Sequence, residues 1–293
     1  MRPTLSRPIQ YTLRVLGHEN PLGLPKSGTP PNWPRKPVQR KIRGVEKVIA
    51  VSSAKGGVGK TNLSLAFARL GYRAGILDTD IFGPSIPTLF NLSGEPRLSQ
   101  NNQLVPMTNY GVKTMSMGYL VPEEDAVVWR GPMVMKAIQQ LLHEVDWGAL
   151  DILVLDLPPG TGDTQLTITQ QLLLDGSIIV TTPHTLAVKD AVKGINMFNK
   201  VNVNILGLIQ NMSLFNCPHC HGNTHVFGSN ERVERMCRDH NISFLGDVPL
   251  HQSIGDNADL GKPTVAAEPT SERAEIFLKI ARDIAPKIDL CMP

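Results

Sequence analysis

Apolar residues along the chain fall into two kinds of run. Five short stretches are almost wholly apolar and rich in β-branched residues: Lys47–Ser52 (KVIAVS), Ala74–Leu77, Asp151–Leu155, Ser177–Thr181 and Ile205–Ile209. They lack the alternation of polar and apolar positions that marks a half-exposed strand, so they read as strands buried on both faces. Between them the spacing changes to three and four. In Met133–Val145 the residues Met133, Ala137, Ile138, Leu141 and Leu142 fall on one helical face. Residues 271–289 predict a closing helix with Ile276, Phe277, Ile280 and Ile284 inward, and SNERVERMCRDH (229–240) puts Val233, Met236 and Cys237 on one face. Buried strands alternating with amphipathic helices predict an α/β fold, a mostly parallel sheet with helices on both faces.

Residues 1–44 break this pattern. They hold eight of the 23 prolines, including Pro30-Pro31, and so cannot be regular helix throughout. They also carry nine basic residues against Glu19 alone, a net +8; the whole chain is +3, which leaves residues 45–293 at −5. An Arg-bearing, acid-poor start with Leu5, Ile9, Leu13 and Leu16 fits an organelle-targeting segment that runs into a linker. The chain thus divides into a basic, Pro-rich extension (1–44) and a folded domain (45–290). The extension lacks the aromatic or repeated basic spacing of a nucleic-acid tail, so no nucleic acid is expected as partner. No run of 18 apolar residues exists, and the closing helix mixes Glu272, Glu275 and Asp283 with Lys279 and Arg282, so any membrane association is peripheral at most. Four cysteines in 293 residues make no disulfide framework and point to a reducing compartment.

The chemistry begins where the first strand runs into Ala54-Lys55-Gly56-Gly57-Val58-Gly59-Lys60-Thr61, followed by the helical NLSLAFARL. Glycines at 56, 57 and 59 let backbone N–H groups converge on phosphate oxygens. Lys60 adds a point charge for the outer phosphates, the Thr61 hydroxyl is placed for Mg²⁺, and the helix N-terminus behind them favours negative charge. A second buried strand ends in Asp156, where such folds keep a magnesium-organising acid. A third ends in Asp78-Thr79-Asp80, two carboxylates that close the edge of the same crevice.

The loop Lys55-Gly-Gly-Val-Gly-Lys-Thr61 is similar to the deviant Walker A loop of the MinD-like P-loop ATPases. LDTDIFGPSIP (77–87), WRGPM (129–133), DLPPGTGD (156–163), TTP (181–183) and QNMSLFNCPHC (210–220) resemble the Mrp/ApbC branch, the ATP-dependent iron–sulfur cluster carriers, over residues 45 to 285. The resemblance implies that Lys55 reaches the partner subunit's nucleotide, that Asp80 with Asp78 handles the attacking water, that Gly160 to Asp163 form a second switch, and that Asn211 bonds adenine. It further implies ATP, Mg²⁺ and a [4Fe–4S] cluster as ligands, a homodimer bridged by the cluster, slow ATP hydrolysis, and apo iron–sulfur proteins as recipients. With the basic leader it points to the mitochondrial type of this family, which serves respiratory complex I assembly in the matrix.

The sequence departs from the family in two places. Thr61 is followed at once by Asn62, so the first helix is about one turn, or ~6 Å, short; and Pro183-His184-Thr185 stands where the family has Pro-Gln-Asp. His184 reads as a surface-loop histidine. Cys217-Pro218-His219-Cys220 suits thiolate ligation of a soft metal or cluster. Three other readings stay open: a haem-attachment pattern (217–221), a thiol pair without metal, and a zinc ribbon of Cys217, Cys220, Cys237 and His240. The last would suit a MinD- or ParA-like positioning ATPase. Against it, Cys237 shares the apolar face of its helix.

Overall fold

The computed structural model describes residues 39–53, 61–120, 131–160 and 162–291, without the side chains of Gly131, Pro132 and Asp163. In chain order the elements are β1 (Val45–Ser53), α1 (Asn62–Arg69), β2 (Ala74–Asp78), α2 (Ile86–Leu89), β3 (Met107–Asn109), β4 (Val112–Ser116), α3 (Gly131–His143), β5 (Leu150–Asp156) and α4 (Asp163–Gln171). There follow β6 (Gly176–Thr181), α5 (Thr185–Lys200), β7 (Ile205–Asn216), β8 (Asn223–Thr224), α6 (Glu231–His240), β9 (Phe244–Leu250), α7 (Gln252–Asp259), α8 (Thr264–Ala267) and α9 (Glu272–Ile284). One sheet runs β3-β4-β2-β5-β1-β6-β7-β8, with β9 also paired to β7. Every pairing among β1, β2, β4, β5, β6, β7 and β9 is parallel, and only the short β3 and β8 run antiparallel.

All five strands expected from the apolar runs are present. Burial is most complete at the centre of the sheet: Val48 to Ser53 of β1 and Ile152 to Asp156 of β5 are all buried. α1, α8 and α9 pack on one another, and α5 packs with α6 and against β1, β6 and β7. β4 and β9 escape the apolar pattern. Lys113 and Thr114 interrupt the first, and Gly246, Asp247 and Pro249 the second. The closing helix ends at Ile284 and passes into a 3₁₀ turn; Phe277, Ile280 and Ile284 are buried and Ile276 packs at the edge. On α3 the inward face is Val134, Ile138, Leu141 and Leu142, whereas Met133 is exposed. α1 is only eight residues long, as the missing turn predicts, and its Asn62 Oδ1 accepts from the Val265 amide of α8 at 3.2 Å.

The folded part also reaches back before residue 45. Arg40 bridges to Leu172, Ile42 is buried, and Gly44 crosses Gly148 so closely that a Cβ on Gly44 would lie 2.0 Å from the Gly148 carbonyl oxygen. With φ +76°, Gly44 holds a backbone conformation that side chains resist. Among the described residues no helix is long and apolar enough to cross a membrane.

Ile49 sits fully buried in β1, in register with Val154 on one side and Gly176 on the other. Ile49→Ala should cost about 2–5 kcal/mol through lost burial and the cavity left behind. Urea unfolding measures it, and a loss below about 1 kcal/mol would show that the site collapses around the gap.

Candidate functional site

Three strands deliver polar residues to the carboxyl edge of the sheet, where open α/β folds bind ligands. The phosphate-loop residues Ala54, Lys55, Gly56, Gly57, Val58, Gly59 and Lys60 lie outside the described residues, but both flanks of the loop are described. Thr61 caps α1 and is buried, its carbonyl accepting from the Ser64 hydroxyl at 2.9 Å. Asp156 ends β5 and Asn211 lies in mid-β7. Thr61, Asp156 and Asn211 line a single cavity of about 660 Å³. The rest of its wall is largely apolar, including Leu89, Phe215, Leu250 and Ile254. This size and lining suit a small ligand with a flat apolar part and a polar end.

Part of that wall was not foreseen. Pro249 to Asp259, the end of β9 and α7, contributes Ile254 and Ala258 one turn apart, and no residue of α7 is buried in the core. The signal was present as an i, i+4 apolar pair in an otherwise polar helix, whose face looks into the cavity.

The acidic strand end separates into three roles. Asp78 is almost fully buried and lines neither cavity at this edge. Its Oδ1 accepts from the Asp80 amide at 2.9 Å, and its Oδ2 from the Ser85 and Ile86 amides at 3.0 and 3.4 Å and from the Ser116 hydroxyl at 3.2 Å. It therefore organises the loop that carries Asp80. Burial, with the neighbouring Asp156 charge second, pushes its carboxyl up to about 7, although the backbone amides oppose this. Asp80 itself is half-buried and opens on a separate cavity of about 400 Å³ with Pro158, Pro159 and Gln165. Its Oδ1 accepts from the Phe82 and Gly83 amides, both at 3.3 Å. Thr79 between them donates its amide and hydroxyl to the Asp156 carbonyl at 3.0 and 2.8 Å, which ties the two strand ends together.

The cysteine pair stands at the far end of β7. The strand runs on to Asn216, well beyond the apolar stretch, turns through residues 217–222, and returns as β8 with Phe215 opposite Thr224 and Asn216 opposite Asn223. Cys217 donates its amide to the Gly222 carbonyl at 3.0 Å and its own carbonyl accepts from the His221 amide at 2.9 Å. Cys220 is exposed and Cys217 half-buried. Amide donors at Cys220 and His219, together with the Cys220 thiol, lower the Cys217 thiol pKa. Cys237 is the opposite case: it lies in the core on α6, and burial, with Glu234 second, pushes it up to about 11. Among the described residues no three His, Cys, Asp or Glu side chains gather as a metal site, so Cys237 and His240 are not brought to the hairpin. His184 is exposed and caps α5, its Nδ1 accepting from the Leu186 amide at 3.3 Å.

A sequence-family profile described as ParA, NUBPL iron-transfer P-loop NTPase, matches residues 44–285. The chain belongs to this family. Among its relatives, the mouse iron–sulfur cluster transfer protein NUBPL is 49% identical over 258 residues, covering 86% of this chain and 81% of that one. An Arabidopsis iron–sulfur protein required for mitochondrial NADH dehydrogenase is 45% identical, over 83% of this chain and 79% of its own. A nucleotide-binding protein from Archaeoglobus fulgidus, solved with ADP, is 34% identical with a TM-score of 0.69, covering 81% of this chain and 94% of that one. The cell-division ATPase MinD of Pyrococcus furiosus shares the fold, with a TM-score of 0.59 at 20% identity over 82% of this chain and 98% of its own. The NUBPL iron-transfer relationship therefore separates the chain from the positioning ATPases that have the same MinD-like architecture.

The thiol environments make a direct prediction, since the thiolate is the reactive form. Lowering at Cys217 brings its thiolate in at a lower pH than for an ordinary thiol, whereas Cys237 stays protonated until about pH 11. Iodoacetamide labelling of the metal-free protein at about pH 8, read by peptide mass spectrometry, should modify Cys217 and spare Cys237 until the protein unfolds. Equal native rates at the two positions would contradict these environments.

Proposed function

We propose that the chain is an ATP-dependent carrier that assembles a labile [4Fe–4S] cluster and passes it to apo iron–sulfur proteins, among them subunits of respiratory complex I in the mitochondrial matrix. One observation carries this reading: β7 holds Asn211 in the wall of the large cavity and, five residues after its left-handed turn at Met212, delivers Cys217 to an exposed hairpin. Nucleotide site and thiol pair share one strand. The names of the mouse and Arabidopsis relatives support cluster transfer and the complex I connection, and the ADP in the archaeal relative supports a nucleotide in the cavity.

In this reading residues 54–61 cradle the phosphates, with Lys60 on the outer ones and Lys55 reaching the partner's nucleotide. Thr61 and Asp156 are buried oxygen donors on one cavity, a donor set that suits Mg²⁺. The ion's contribution is to neutralise charge on the phosphates. Asn211 meets the adenine. Asp80, held off by the Phe82 and Gly83 amides, is the group that orients water, and Asp78 positions its loop. Hydrolysis is slow because the sequence motifs offer no strong general base beyond Asp80. The cluster is cargo. It wants four thiolates, and each chain offers Cys217 and Cys220, so two copies complete the set across a two-fold axis.

Lys60→Ala should weaken Mg-ATP binding by at least about tenfold, the worth of one charge-assisted hydrogen bond. Asp80→Ala should keep binding and lose turnover. Equal ATPase in wild type and Lys60→Ala would refute the nucleotide site.

Anaerobic reconstitution with iron and sulfide should give a dimer with about four iron per two chains. Metal analysis and absorbance should show this lost in Cys217→Ala and Cys220→Ala and kept in Cys237→Ala. A monomer holding one zinc that depends on Cys237 would sink the carrier reading.

A further inference from the structure

Neither the nucleotide motifs nor the cysteines account for a polar cluster that lies between them. Asp247, on β9, accepts from Gln210 Nε2 at 3.3 Å through Oδ1 and from Asn230 Nδ2 at 3.4 Å through Oδ2, while Gln210 Nε2 also donates to Asn230 Oδ1 at 2.7 Å. The Ser213 hydroxyl donates to the carbonyl of the next β9 residue, Val248, at 3.3 Å. His225 follows the return strand of the cysteine hairpin, and its Nδ1 lies 3.1 Å from the Ser213 carbonyl oxygen. Gln210 is completely buried, and among the described residues its Oε1 has no hydrogen-bond partner.

The backbone explains how these groups meet. Alternation along a strand would put Gln210 and Ser213 on opposite faces. Both reach β9, Gln210 at Asp247 and Ser213 at the Val248 carbonyl, because Met212, between them, has a left-handed φ of +55°, and the β7–β9 register slips between Asn211 and Phe215. Left-handed backbone at a residue with a side chain is strained and persists only when its surroundings hold it. One holder is visible: the Met212 amide donates to Oδ1 of Asn211, the residue in the cavity wall, at 2.7 Å. A base that bonds the Asn211 carboxamide therefore touches the same side chain that holds the Met212 turn.

We propose that Asp247 is a positioning residue that couples the nucleotide cavity to the cysteine hairpin. It holds β7 through Gln210 before the strained Met212, the adjoining Val248 carbonyl holds Ser213 after it, and the Ser213 carbonyl meets His225 on the hairpin's return, so a change in the Met212 turn is delivered to Cys217 and Cys220. Nucleotide occupancy thereby sets the exposure of the two thiols. This rests on the cavity being the nucleotide site, as proposed above, and does not need a cluster to be present.

The test therefore uses the metal-free full chain. N-ethylmaleimide labelling of Cys217 and Cys220 is timed by peptide mass spectrometry with and without saturating Mg-ATP, and Mg-ATP affinity is measured by calorimetry on the same samples. In wild type the nucleotide should change the labelling rate by about fivefold or more, the lower end of ordinary coupling between two sites. In Asp247→Asn, which keeps the shape but removes the charge, the change should fall below about twofold while affinity is retained. Ser213→Ala, a milder change on the opposing strand, should show the same loss and carries the test if Asp247→Asn does not fold. A merely structural residue would raise labelling equally in both states. That outcome, a wild-type nucleotide response in both variants, or a parallel loss of Mg-ATP affinity would each overturn the coupling. So would a wild type that binds Mg-ATP without any change in thiol kinetics, whereas a wild type that binds no Mg-ATP takes the nucleotide reading down with it.

Discussion

Asp156 stands in register with Val51 of β1 on one side and with Asp78 of β2 on the other. This three-strand register is the constraint from which the rest of the site follows. A one-residue slip would turn every side chain of a strand to the other face, and strands buried on both sides cannot tolerate that. Because the register is held, two carboxylates meet at the end of neighbouring strands, and the loop after each is aimed at the same edge. The meeting is electrostatically unfavourable. It is tolerated because Asp78 is supplied with three backbone amides and a hydroxyl, and because its carboxyl is pushed toward the protonated form. The same hydrogen bonds fold residues 80–86 into a defined loop, so the cost of burying Asp78 and the placement of Asp80 are one arrangement.

How much of this was legible in the sequence depends on which force decided each element. Strands β1, β2, β5, β6 and the first half of β7 are fixed by burial on both faces, and an uninterrupted apolar run reports that directly. β9 is held in the sheet by its pairing to β7, while Gly246, Asp247 and Pro249 answer to local needs at the hairpin and the cavity, so its apolar signal is broken. Met133 was expected inward from its spacing to Ala137, but Val134 takes the buried position and Met133 points out. A helical pattern fixes the stripe of a helix and leaves its edges uncertain. For the site, Thr61 and Asp156 follow from strand–loop–helix context, which fixes where a strand's last residue goes, whereas Asn211 in mid-β7 came only with the family resemblance; the three line one cavity. Asp78 and Asp80 looked equivalent as a pair. Only the fold distinguishes them, since a difference of two positions at a strand end turns one carboxylate in and leaves the other at an opening.

The cysteines show the same division between composition and environment. Cys217 and Cys237 are the same side chain, and spacing alone admits both into a zinc ribbon. Cys237 falls on the one apolar stripe of α6 beside Val233 and Met236, where burial holds the thiol protonated. Cys217 falls in a tight turn whose amides point at its sulfur, which favours the thiolate. An amphipathic helix and a hairpin turn thus give one cysteine a packed, protonated environment and the other an exposed turn that favours the thiolate.

In the proposed function the hairpin is also a particular kind of ligand support. β8 pairs with β7 over only two residues on each strand, Phe215 and Asn216 against Asn223 and Thr224, and a two-stranded ribbon of that length has little stability of its own. What holds it to the domain is the far side of the turn, where His225 Nδ1 meets the Ser213 carbonyl oxygen. Ligands on a deeply buried strand would keep a metal cargo, because release would require opening the core. Ligands on a short ribbon anchored at one polar cluster can loosen without disturbing the sheet, since local opening is governed by how few buried contacts a segment makes. A carrier must bind its cargo and then surrender it. In the proposed coupling, the anchoring of β7 places that balance in a handful of hydrogen bonds beside the cavity that Asn211 lines, where occupancy of one is felt at the other while the sheet stays as it is.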